Sequence, residues 1–79
     1  MLALGDISAA RLLYERAAAL GSARAATALG NTYDAAFLAS IQAKGIVADQ
    51  GAAIVWYRKA AALGDTEALR QLKRLAQTQ

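Results

Sequence analysis

Apolar residues recur along this chain at helical intervals, and they do so twice. Ala10, Leu13, Ala17 and Leu20 fall at i, i+3, i+7 and i+10, and Ala53, Trp56, Ala60 and Leu63 repeat those intervals further on. Such spacing puts each set on one face of an α-helix and predicts two helices with that face turned to a core. Asp6 and Asp49 precede them as candidate N-caps, because a short acidic side chain accepts from the orphan amides of a helix start. Gly21 and Gly64 follow, where a helix that stops sharply needs a residue at positive φ. Ser22 and Asp65 come next and are good caps, so a second helix starts after almost no loop and each unit reads as an antiparallel hairpin. The second helices carry Ala25, Leu29 and Tyr33, or Ala68, Leu72 and Ala76, on a common stripe.

The two hairpins are copies of one another. A shift of 43 places lays Asp6 to Leu29 onto Asp49 to Leu72, with 11 of the 24 positions identical. Abundant Ala inflates that match, but the block Tyr-x-x-Ala-Ala-Ala-Leu-Gly at Tyr14 to Gly21 and again at Tyr57 to Gly64 is not explained by Ala alone. Between the copies, Asp34 is placed to cap a short helix from about Ala35 to Ala43, with Gly45 in the turn that follows. The competing reading runs the preceding helix straight through Asp34. The expected organisation is therefore a first hairpin at 6–33, an inserted short helix and turn at 34–48, and a second hairpin at 49–79.

Composition adjusts this picture. The chain has 79 residues, 57% of them hydrophobic, and 22 are Ala. That alphabet favours helix, but it buries little area per residue, so the core of so small a domain is expected to be thin. No stretch is long and apolar enough for a membrane span, and the N-terminus lacks the basic start of a signal peptide. The chain thus reads as soluble, with no assignable compartment.

Candidate chemistry is sparse. With no Cys and no His, thiol nucleophiles, thiolate metal sites and the usual general base are absent. The six acidic residues are scattered singly, and no glycine-rich phosphate motif occurs. Neither catalysis nor a cofactor nor a metal is expected. The net charge of +3 and pI near 9.7 raise nucleic acid as a partner. Arg70, Lys73 and Arg74 form the one basic cluster, however, and cations at the end of a helix complement its dipole. Without interleaved aromatic residues, nucleic-acid binding is not expected.

Several of these residues resemble a known pattern, the Sel-one-like repeat, a relative of the tetratricopeptide repeat. Ala25, Leu29, Gly30 and Tyr33 match its first element, Gly45, Ile46 and Asp49 its second, and Ala53, Trp56, Tyr57, Lys59, Ala60, Ala61, Gly64 and Ala68 its third. Tyr33 and Gly45 stand farther apart than the pattern has them, and Phe37, Leu38 and Ile41 lie in that insertion. The resemblance implies an all-α, tetratricopeptide-like α/α repeat of about two helical hairpins plus the inserted helix. It also implies a noncatalytic scaffold that binds a protein or peptide, as a terminal fragment of a larger bacterial-type protein. On that reading the outer face of the first helices, Arg11, Glu15, Ile54 and Arg58, is the candidate partner surface. Tyr14, Trp56 and Tyr57 are expected to be packing residues. Phe37, Leu38 and Ile41 either close the domain's own core or contact a second copy, and homodimerisation is the alternative function.

Overall fold

The computed structural model describes residues 4–43 and 45–77 and is built of five helices: α1 (Leu4–Ala19), α2 (Ala23–Tyr33), α3 (Ala35–Ser40), α4 (Gln50–Ala62) and α5 (Thr66–Gln77). There is no strand among the described residues.

The two copies end their first helices in the same way. At the end of α1 the Gly21 amide donates to the Ala18 carbonyl (2.9 Å) and the Ser22 amide to Ala17 (3.0 Å). At the end of α4 the Gly64 amide donates to Ala61 and the Asp65 amide to Ala60, both at 3.0 Å. This closing pattern needs a left-handed residue, which Gly21 at φ +97° and Gly64 at φ +106° supply without a Cβ penalty. The caps of the following helices also agree with expectation. Ser22 Oγ accepts from the Ala25 amide at 3.1 Å, and Asp65 Oδ1 accepts from the Glu67 amide at 3.0 Å. Asp49 caps α4 by accepting from the Ala52 amide at 3.1 Å. Asp6 differs: α1 already runs from Leu4, so Asp6 lies inside its first turn and is not its N-cap.

Asp34 breaks the chain where expected. It is extended, at φ −87° and ψ 119°, and serves as C-cap of α2 and N-cap of α3, with Oδ1 accepting from the Ala36 amide at 3.0 Å. A side chain that can bond its own downstream backbone competes with helix continuation, and here it wins. The inserted helix is shorter than expected. It stops at Ser40, with Gln42 at φ +56° and the Ala43 amide donating to Leu38 at 3.0 Å. Gln42, not Gly45, therefore terminates it.

Helix α2 is central: it packs on α1, α3 and α4, and α4 packs in turn on α5. Within the first hairpin Arg11 meets Thr32, and within the second Ile54 lies with Leu75. In each case the two residues stand equally far from their turn, as antiparallel pairing requires. The core cluster is Ala18, Ala25, Ala26, Ala53, Tyr57, Ala60, Ala68 and Leu75; six of these eight are Ala, so the helices approach closely. Ile7, Leu29 and Leu38 are buried as well.

One expectation about the core fails. The stripe Ala10, Leu13, Ala17 and Leu20 is not a buried face: Leu13 is 63% and Leu20 89% exposed, and α1 buries Ile7 and Ala18 instead. Periodicity identifies residues that share a face, but not whether anything covers it. In α4 Ala53 and Ala60 of the equivalent stripe are buried, whereas Ala10 and Ala17 of α1 are only half-buried.

Candidate functional site

The four residues expected to form a partner surface divide between two places. Arg11 turns inward to the end of α2. Its Nε donates to Thr32 Oγ1 (3.1 Å), its Nη2 to the Thr32 carbonyl (2.5 Å), and its guanidinium stacks 3.9 Å from the Tyr33 ring centroid. It is a clamp between α1 and α2, since the guanidinium covers an orphan carbonyl of the helix end and an aromatic face at once. Glu15 is exposed. Ile54 is half-buried against the core, and with Arg58 it lines a shallow groove of about 230 Å³ closed on the other side by Leu72, Leu75 and Ala76 of α5. Arg11 and Ile54 are thus held against the second helix of their own hairpin and do not lie on a free outer face.

The aromatic residues separate by depth. Tyr57 is fully buried, and its ring lies on Gly30. Tyr14 and Trp56 are half-buried beside the core, and Lys59 Nζ stands 5.4 Å from the Trp56 ring centroid. All three pack, and none forms an open aromatic site.

A buried polar centre ties the helices together. Asp34, 3% exposed, receives the Tyr57 hydroxyl at 2.8 Å on Oδ2, and Arg74 Nη2 of α5 pairs with the same oxygen. Asn31 Oδ1 lies 2.7 Å from the Tyr57 hydroxyl. Burial, then the hydrogen bond to Asp34 and that carboxylate's charge, push the Tyr57 pKa well above the usual tyrosine range, while Arg74 opposes the shift. A tyrosine held neutral in this way is a donor to a buried charge, not an acid at physiological pH. A cleft of about 450 Å³ opens beside the pair, lined by Ala35, Ala36, Ala48, Gln50, Ala53 and Leu75 along with Asp34 and Arg74. Its two charged groups already satisfy each other. Sequence reasoning missed this centre because its members lie 23 and 40 residues apart.

The basic cluster is likewise engaged. Arg70 pairs with Glu67 at 2.8 Å one turn away, and Arg74 is spent on Asp34, which leaves Lys73 exposed. The Gln71 amide and Arg70 together hold the Glu67 carboxyl below its ordinary range. Among the described residues no group of three potential metal ligands occurs, and no helix is long and apolar enough to cross a membrane.

What the surface does offer is repeated apolar exposure. Leu12 of α1 and Val55 of α4 stand at equivalent positions of the two copies and are 62% and 61% exposed. Leu20 and Leu63, another equivalent pair, are exposed too. In the inserted helix Leu38 is buried, so that residue closes the domain's own core, while Phe37 and Ile41 are half-buried.

Set against protein-family models, curated proteins and solved structures, the chain matches none.

Proposed function

We propose that this domain is a noncatalytic protein–protein interaction module of the tetratricopeptide-like, Sel-one-like kind, in which paired helices hold a partner segment. The observation that carries this reading is the matched exposure of Leu12 and Val55, and of Leu20 and Leu63 further along each copy. Large apolar side chains scattered singly over a surface are ordinary. The same position left open in both copies of an internal repeat is a patterned surface, and patterned apolar exposure is what a docked segment desolvates. The partner surface proposed is therefore these exposed apolar positions of α1 and α4, with Glu15 and Arg58 as their charged neighbours along each helix, rather than Arg11 and Ile54.

The test is sedimentation of the domain over a wide concentration range, followed by selection of peptide ligands and their titration against the double variant Leu12→Asp, Val55→Asp. The reading predicts a monomer whose selected ligands lose binding to the folded double variant. A dimer that the same substitutions dissolve contradicts it and supports self-association. Ligands that bind wild type and variant alike also contradict it.

A further inference from the structure

We propose that the groove between α4 and α5 is a binding site for an aromatic side chain of a partner protein, with an acidic residue beside that ring paired to Arg58. The proposal rests on the interaction reading and deepens it, but it uses none of the exposed positions Leu12, Val55, Leu20 and Leu63.

The first copy shows the same groove filled. Carried on through the second helices, the 43-place shift lays the groove residues Ile54, Arg58, Leu72, Leu75 and Ala76 onto Arg11, Glu15, Leu29, Thr32 and Tyr33. In that first set Arg11 bonds Thr32, and its guanidinium lies 3.9 Å from the Tyr33 ring centroid, so a long side chain and an aromatic ring occupy the space between the helices. In the second set Ile54 stands for the arginine and Ala76 for the tyrosine. The guanidinium and the ring are gone, and a groove of about 230 Å³ is open in their place.

Size and charge define the occupant. That volume is below the roughly 300–1,000 Å³ of a small-molecule pocket, and it suits one side chain. Leu75 is buried, and Ile54 and Leu72 are half-buried, so the groove offers apolar surface that a ring desolvates; a ring is also what the first copy keeps at this place. Arg58 is exposed and has no hydrogen bond, ion pair or ring contact among the described residues. The first copy carries Glu15 there, so the cation belongs to the open groove alone. A guanidinium at an apolar rim pairs with a carboxylate set next to the ring.

A second copy of the chain does not present this combination. Its aromatic residues with an acidic neighbour are Tyr14 beside Glu15 and Tyr33 beside Asp34. Tyr14 packs against the domain's own core, Tyr33 lies under Arg11, and Asp34 is buried. The occupant is thus a segment of another protein.

The probe is the capped tripeptide acetyl-Ala-Phe-Asp-amide, titrated into the isotopically labelled 79-residue domain to about 20 mM, because a site for one side chain binds weakly. The expected result is saturable shifts in the NMR signals of Ile54, Leu72, Leu75 and Ala76. Affinity should fall about threefold or more when Asn replaces the Asp of the peptide or Leu its Phe, and the Arg58→Gln domain should bind the Asp and Asn peptides alike. Ala76→Tyr, which returns the ring of the first copy, should lower affinity at least tenfold. Arg58 and Ala76 are exposed, so both variants fold, which unchanged helix content checks. Absence of saturable shifts, shifts centred on Leu12, Leu13 or Leu20, or undiminished binding by Ala76→Tyr would overturn the proposal. Phenylacetate binding as tightly as the tripeptide would overturn the protein partner in favour of a free aromatic acid. The same shifts appearing on concentration of the domain alone would overturn it in favour of a second copy. Any of these failures leaves Leu12 and Val55 to their separate test.

Discussion

Gly30 lies directly against the Tyr57 ring, so close that a Cβ built on the glycine would stand 2.6 Å from two ring carbons. This contact lets α2 and α4 approach, and it is the steric centre of the domain. Gly in mid-helix is otherwise unfavourable by about 1 kcal/mol relative to Ala. Here the overpacking cost of about 1–3 kcal/mol outweighs that gain. Gly30→Ala is expected to destabilise the domain by up to about 2 kcal/mol, read as a lower urea midpoint with unchanged slope.

Tyr57→Phe removes a hydrogen bond to a buried carboxylate, a loss of about 1.5–3 kcal/mol. It also changes the response to alkali. The folded state holds the Tyr57 pKa above its ordinary value of 10.0, through burial first and the Asp34 bond second. In the unfolded chain the phenol ionises near that ordinary value, so above about pH 10 the unfolded state binds fewer protons. The stability contributed by Tyr57 is then present in full below pH 10 and falls by about 1.4 kcal/mol per pH unit above it. Urea unfolding of wild type and Tyr57→Phe on either side of pH 10 should show this alkaline loss in the wild type and its absence in the variant.

Arg74 neutralises Asp34 from a half-exposed position. Replacing it by Leu leaves the 3%-exposed carboxylate with neutral donors alone. Removing one partner of a fully buried pair costs about 3–5 kcal/mol; water reaches Arg74, so about 2 kcal/mol is expected for Arg74→Leu. Thermal unfolding at neutral pH measures it. A change below about 0.5 kcal/mol, the range of ordinary surface substitutions, would show that the pair contributes nothing.

Gln42 occupies the left-handed region at φ +56° as α3 ends. A non-glycine residue there is strained, whereas glycine is not. Gln42→Gly is expected to raise stability by about 0.5–1 kcal/mol after the larger unfolded-state entropy of glycine is counted. The readout is a higher melting temperature.

Local features are legible in the sequence. Asp34 broke the helix because its carboxylate bonds the next turn, and Gly21 and Gly64 closed theirs because the turn demands positive φ. Features that depend on neighbours were not. The repeat equates Ile7 with Gln50 and so hid Ile7, one of the largest fully buried side chains. Arg11 reads as a surface charge until Thr32 and Tyr33 are seen beside it. Leu13 and Leu20 have the spacing of a core, but both are exposed. The Asp34, Tyr57 and Arg74 centre joins three helices across long sequence separations, which no local pattern records.

One motif occurs twice, its Ala-Tyr-Ala face buried in the second copy and half-buried in the first. Matched substitution at equivalent positions separates the two. Ala60 is fully buried and Ala17 half-buried. Equilibrium unfolding of Ala60→Leu and Ala17→Leu should show a loss of about 1–3 kcal/mol for the first, from overpacking, and a smaller loss for the second, whose half-buried side chain can turn toward solvent. Equal losses at the two positions would contradict the account, because they would mean that α1 is as fully covered on this face as α4.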